Sequence, residues 1–218
     1  MTAFTKASAA AFVVLAAVLL APTAAATSAC ADLGGAVDPS GTCRIHESTD
    51  GYRIDIAYPT GYPDEAPLAE YVDQSRDDFV DWIHEIDAPA LKELDMIPHT
   101  YRSDSTESVV LTIGTNTGVR PVTTFRSFTY DVDRHTPITI DTLFRPDADP
   151  LTVLNPIVQR ELTARDAMRK ELTLDDYRTF ALTDDTVTFF FPQGDLLPHV
   201  DGPLEVTVPR TELDSLLA

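Results

Sequence analysis

The sequence predicts an α+β protein, a largely antiparallel sheet packed by two main helices. Two stretches place apolar residues at helical spacing, and short alternating or apolar runs bounded by turn residues read as strands. Their order, strand–helix–strand–strand followed by helix and further strands, gives the class.

The first strand is "YRIDIAYP" (52–59), with Tyr52, Ile54, Ile56 and Tyr58 on one face. A helix follows between Asp64 and Asp87. Leu68, Tyr71, Val72, Ser75, Phe79, Trp82, Ile83 and Ile86 fall on one side, Pro63 and Pro67 mark the start and Pro89 the end. Its aromatic stripe reads as core packing rather than a ligand platform. "SVVLTIG" (108–114) and "TTFRSFTYDV" (123–132) read as a hairpin with a wide tip, "TNTGVRP". The second helix opens at "DADPL", with Asp149 as cap, Pro150 in the first turn and Leu151, Leu154, Val158 and Leu162 as its buried stripe. Pro156 marks a kink or a restart. The charged run "ARDAMRKELTLDD" reads as solvated. Strands at 179–183, 186–192 and 204–208 and a short terminal helix complete the fold.

Residues 1–26 read as an export signal: Lys6, an apolar run from Ala9 to Ala21, the break at Pro22 and small residues at Ala24 to Ala26. The run is shorter than a spanning helix, so no stable membrane insertion is expected after cleavage. Lipidation of Cys30 is the competing reading of the same region. The remaining chain divides into an N-terminal half, 27–135, and a C-terminal half, 136–218, packed as one unit. Cys30 and Cys43 are the only cysteines, and in an exported chain such a pair reads as a structural disulfide.

Charge excludes some partners. The 35 acidic residues outnumber the 16 Lys and Arg to give −19, which argues against nucleic acid and anionic membrane surfaces. The acids are scattered, as on a solvated surface.

No catalytic motif is complete. No G-x-S-x-G elbow occurs, and "GTNTG" (114–118) places Asn116 where a nucleophile would stand. His46, His84, His99, His135 and His199 are isolated, with no pair at metal-ligand spacing and no H-E-x-x-H. "DVDRHTP" begins like a calcium loop but places Arg134 and His135 at ligand positions. No metal or cofactor is expected. A triad assembled in space from Ser127, His135 or His199 and an aspartate remains the enzymatic alternative, and Ser105 and Ser108 lie beside or within strands without a flanking motif.

The strings "CADLGGAVDPSGTCRIH", "YPDEAPLAEYVDQSRDDFV", "PITIDTLFRPDADPL", "PIVQREL" and "FALTDDTVTFFFPQGDLLP" resemble, in order, the mycobacterial secreted immunogenic antigens of the MPT/MPB series. The second half also resembles an extracellular domain of lysozyme-sensing anti-sigma factors. The resemblance implies a β-grasp-like C-terminal part, a secreted or cell-wall-associated location, and a binding role toward cell-wall or host components. Some relatives are labelled esterases, without a motif that places a nucleophile here. The hairpin tip departs from the relatives, which commonly read Gly-Gly-Ala-His-Pro, where this chain has Thr117-Gly118-Val119-Arg120-Pro121. Gly118, Arg120 and Pro121 thus form a candidate binding loop. Arg120 stays protonated and cannot act as a base, but it can hold an anion; the competing reading is a tight turn needing Gly118 and Pro121.

The run "FFFPQGDLLPHVDGPLEVTVP" (189–209) gathers Asp195, His199 and Asp201 after three aromatics. It reads as a strand buried on both faces followed by a helical turn over Gln193 to Leu197, a corner of the fold rather than an acid–base set.

Overall fold

The computed structural model describes residues 29–85 and 90–218. The export segment 1–26, the Thr27-Ser28 lead to Cys30, and the helix end at Ile86, Asp87 and Pro89 lie outside the described residues.

The larger sheet holds β1 (Ala36–Val37), β2 (Thr42–Ser48), β3 (Tyr52–Pro59), β4 (Lys92–Arg102), β5 (Thr106–Asn116), β6 (Pro121–Asp131) and β7 (Thr136–Pro137) side by side in chain order. Neighbours pair antiparallel except β3 and β4, which run parallel with α1 (Glu65–Glu85) in the crossover between them. A smaller antiparallel sheet holds β8 (Phe180–Leu182), β9 (Thr186–Phe191) and β10 (Leu204–Pro209), with β9 in the centre. Short α2 (Ile140–Leu143), then α3 (Leu151–Ala164), lead into it and α4 (Arg210–Leu213) follows it. The α+β class is the one read from the sequence.

The layers run α1, larger sheet, smaller sheet, α3, and period-two alternation in two strands builds them. On β5, Val109, Leu111 and Ile113 join Leu68, Val72 and Phe79 of α1 in one core. The alternate residue Val110 packs the other way, against Ala181 and Phe190. On β9, Phe189 and Phe191 turn toward Leu154, Val158 and Leu162 of α3, with Tyr177 edge-on to both rings. Phe190 turns back to Tyr101 and Phe125 on the larger sheet. The triple phenylalanine is thus a strand with a core on each side.

The two sheets are joined by hydroxyl groups. Phe190 N–H donates to Thr179 C=O and Thr183 N–H to Thr186 C=O, so alternation turns the backbone groups of Phe180 and Leu182 away from β9, toward the free edge of β8. There Phe180 N–H donates to Ser127 Oγ (3.1 Å) and Leu182 N–H to Ser108 Oγ (3.2 Å), while Phe180 C=O accepts from Thr129 Oγ1 (3.4 Å). Thr129 Oγ1 also lies 3.1 Å from Ser108 Oγ, directly across the β5–β6 ladder. Three outward backbone groups of this edge strand, Phe180 N–H, Phe180 C=O and Leu182 N–H, are therefore satisfied by side chains standing on the face of the other sheet.

The structure refines several expectations. β1, β2 and β4 carry no clear sequence signal. β4 is central yet contains Pro98, which lies beyond Met96, the last residue that β3 pairs, so the missing N–H breaks no bond on that side. The β5–β6 tip is tighter than expected, because the strands extend to Asn116 and Pro121. Pro150, not Asp149, occupies the cap position of α3, and the helix runs through Pro156 unbroken. The helical turn expected at Gln193 to Leu197 lies later, at His199–Asp201, although Leu196 and Leu197 are buried as expected.

Cys30 and Cys43 form the disulfide, tying the first described residues to β2. Gly35 sits against it: a Cβ there would meet both sulfur atoms at 2.9 Å, so no other residue fits without displacing the bridge. Deeper in that half, the Tyr58 hydroxyl and Glu65 Oε1 are buried without hydrogen-bond partners among the described residues. Burial, with the Glu65 charge added, pushes the Tyr58 hydroxyl up to about 12, and burial raises the Glu65 carboxyl.

Both the sheet junction and this buried carboxyl can be tested. Ser108→Ala leaves Leu182 N–H without an acceptor and takes from the Thr129 hydroxyl the nearer of its two partners, and Ser127→Ala leaves Phe180 N–H without one. Each substitution should lower stability by about 1–3 kcal/mol, Ser108→Ala more than Ser127→Ala, read as a lower urea midpoint at unchanged slope. For Glu65 the folded state binds its proton more tightly than the unfolded chain. Its contribution is therefore most favourable below the ordinary carboxyl pKa and is lost as pH rises through the raised one. Glu65→Gln should raise the Tm at pH 7, and the gain should shrink as pH falls toward 4, as differential scanning calorimetry would show.

Candidate functional site

The chemistry-bearing side chains converge where β6 forms the edge of the larger sheet. Arg126 and Phe128 project from β6 onto the face covered by α1, where the Arg126 guanidinium lies 5.3 Å from the Tyr71 ring centroid and 5.4 Å from that of Phe128. Tyr71 meets Phe128 edge-on at 5.8 Å, so the two rings form a shelf that orients the planar cation. No carboxylate pairs with Arg126 among the described residues, although acids outnumber bases about two to one.

Around this shelf a cleft of about 340 Å³ opens, lined by Tyr71 and Arg126 from one face of the sheet and Phe125, Thr179 and Phe190 from the other. Residues from both faces share the lining because the cleft wraps the edge of β6. Lys170, Arg178, Asp175, Asp176 and Asp195 stand at its far wall. Arg178 is bound to Asp175, and Asp176 accepts from Thr173 N–H (2.8 Å) and hydroxyl (2.9 Å). Burial works to raise the Asp176 carboxyl, but those hydrogen bonds, with Lys170 and Arg178 close by, hold it below its ordinary value. Among the described residues, Lys170 Nζ donates to the Asp195 C=O, at 3.2 Å, and to no carboxylate. With the Arg178–Asp175 pair set aside, Arg126 and Lys170 face the carboxylates of Asp176 and Asp195. The lining is formally neutral, and within it Arg126 is a cation without a carboxylate partner among the described residues, a group that suits an anionic or π-rich ligand.

A second cleft, about 480 Å³, lies at the other end of the sheet junction, lined among others by Ser105, Asp131, Arg134 and Arg210. The Asp131 carboxylate is committed to the loop it starts, accepting from Asp133 N–H (3.0 Å) and Arg134 N–H (2.8 Å). This Asx turn is what "DVDRHTP" encodes, with His135 at φ 55° on its exposed end.

The residues of the triad alternative go to separate places. Ser127 receives Phe180 N–H in the sheet junction, Ser108 is fully buried, and Ser105 lines the 480 Å³ cleft. The His199 ring packs on Gly194, where a Cβ would come within 2.6 Å of Nε2, and its C=O accepts from Gln193 Nε2 (2.6 Å). Nδ1 of His199 is buried without a partner among the described residues, and no hydrogen bond joins a serine hydroxyl to a histidine among them. His46 pairs with Asp55 at 2.6 Å on the exposed face of β2 and β3. Asp195, His199 and Asp201 thus lie along a corner that shapes the chain.

The loop of Gly118, Arg120 and Pro121 forms the β5–β6 tip. Gly118 adopts φ 84° and donates its N–H to Asn116 Oδ1 (3.0 Å), the geometry of a tight turn, and Val119 and Arg120 are exposed. The tip lines neither of the two clefts. Sequence reasoning missed Arg126, whose signal was an arginine inside an otherwise apolar and hydroxylated strand, "TTFRSFTY".

Residues 141–211, from α2 to the start of α4, match a family described as a protein of unknown function, DUF3298. A DUF3298 protein of Pseudomonas aeruginosa shares the fold, with a TM-score of 0.59 over 84% of this chain and 96% of that one, at 16% identity. The relative named Esterase Rv3036c, from Mycobacterium tuberculosis, is 37% identical over 93% of this chain and 96% of its own length. Immunogenic protein MPB64 of Mycobacterium bovis is 39% identical over 90% of this chain and 91% of its own, and Immunogenic protein MPT64 of Mycobacterium tuberculosis matches to the same extent. With such identity along nearly the whole length of both partners, the chain belongs to the family of the mycobacterial immunogenic proteins MPB64 and MPT64.

Proposed function

We propose that this chain is an exported, disulfide-bonded binding protein that captures an anionic partner, on the cell wall or among host components, in the cleft at the β6 edge. One observation carries the reading: Arg126 lines the cleft, is held by two aromatic rings, and has no carboxylate partner among the described residues. A stacked guanidinium keeps its fork of donors available and pre-aimed, which lowers the ordering cost of binding a carboxylate. The disulfide and the deficit of basic residues agree with work outside the cell on partners other than nucleic acid.

Titration of ¹⁵N-labelled protein with glutarate, a simple dicarboxylate, tests this. Amide shifts should gather at residues 124–128 and 176–179 and vanish in Arg126→Gln, whose circular dichroism should match the parent. Unperturbed amides in the parent overturn the binding reading.

The second reading is hydrolysis of a carboxylic ester. It is favoured by the relative named an esterase and by the Ser105 hydroxyl at the 480 Å³ cleft. Under the binding reading a fluorophosphonate probe leaves every serine unmodified, and short acyl esters hydrolyse at the buffer rate. Stoichiometric labelling of one serine, lost in Ser105→Ala together with ester turnover, establishes the esterase instead.

A further inference from the structure

We infer that the β6 edge is a docking site for an extended acidic peptide, which adds to the larger sheet as a further strand beside Phe125 and Ser127. The inference rests on the cleft being a binding site and names its partner.

The backbone supplies the first argument. Thr123 N–H donates to Gln193 Oε1 (2.8 Å), and Gln193 N–H donates to Thr123 C=O (2.9 Å), so at this residue both backbone groups point away from β5. Six residues on, Thr129 C=O accepts from Ile138 N–H (2.8 Å) on the same outer side. The β5–β6 register is unbroken from Asn116↔Pro121 to Thr106↔Asp131, so no bulge resets the alternation. Phe125 and Ser127 therefore point their N–H and C=O groups outward as well. No hydrogen bond among the described residues takes them, because β7 reaches only Tyr130 and Asp131. The result is a window in the sheet edge, closed at one end by Gln193 and at the other by β7. Its two residues repeat at about 6.8 Å, the step of an antiparallel strand.

The side chains supply the second argument. A strand entering this window places alternate side chains on the two faces of the sheet. On one face they meet Arg126, which suits a carboxylate; on the other they meet Phe125 and Phe190, which suit an apolar group. The matching sequence alternates acidic and apolar residues, Glu-Val-Glu being the simplest case.

A second copy of this chain fits poorly. Antiparallel pairing of two such windows would set a two-fold axis beside Arg126 and bring the two guanidinium groups together, between chains that each carry −19.

The test is hydrogen exchange and ¹⁵N titration of the full chain with acetyl-Thr-Glu-Val-Glu-Thr-amide, with glutarate in parallel. The peptide should slow exchange of the Phe125 and Ser127 amides at least tenfold, and methylation of its central backbone nitrogen or Arg126→Gln should weaken binding about tenfold. If peptide and glutarate shift the same amides without protecting Phe125 and Ser127, strand addition is wrong while the anion cleft stands. If neither binds, both readings fall. If sedimentation shows a dimer whose Phe125 and Ser127 amides are protected without peptide, the occupant is a second copy and the inference is overturned.

Discussion

The fold turns on how the outer edge of β8 is satisfied. A strand of three residues cannot close a sheet, and its outward N–H and C=O groups would be buried without partners against the larger sheet. Ser108, Ser127 and Thr129 resolve this by carrying hydroxyls short enough for the smaller sheet to approach closely. Everything beyond depends on that seat. Phe190 reaches Tyr101 and Phe125 only because β8 stands beside Ser127, and α3 is placed by the sheet it covers. The cleft at β6 exists because the smaller sheet rests on the face of β5 and β6 without covering their edge.

That arrangement explains what the sequence revealed and what it hid. β3, β9 and β10 were legible because alternation and apolar runs arise directly from burial on one face or two. The α1 stripe was legible for the same reason at helical period. β4 was not, since "KELDMIPHTYR" mixes charges with a proline, and it is central only over the residues that β3 pairs. A hydroxyl is chemically ambiguous in a sequence. Ser127 fits a nucleophile or a hydrogen-bond acceptor equally well until the partner strand, more than fifty residues later, is placed beside it.

Arg126 was illegible for a related reason. Its role comes from Tyr71 on a helix far earlier in the chain, and the reading of that helix as a core element was correct but incomplete. Tyr71 packs beneath the sheet and also props a cation at its rim. The tip loop drew attention because it differs from the pattern of relatives, yet it lies apart from the cleft.

The parallel pairing of β3 and β4 bears on how the chain reaches this state. These two strands sit in the middle of the larger sheet, yet they can meet only after α1 has folded back across them. Such a contact joins distant parts of the chain and must meet the entropy of closing a long loop before the burial of Ile54, Ile56, Leu94 and Met96 rewards it. The β4–β5–β6 meander, built from local turns, has no such delay. Topology therefore sets the β3–β4 seam apart: it is the non-local pairing that joins two locally connected parts of the larger sheet, the β2–β3 hairpin and the β4–β5–β6 meander.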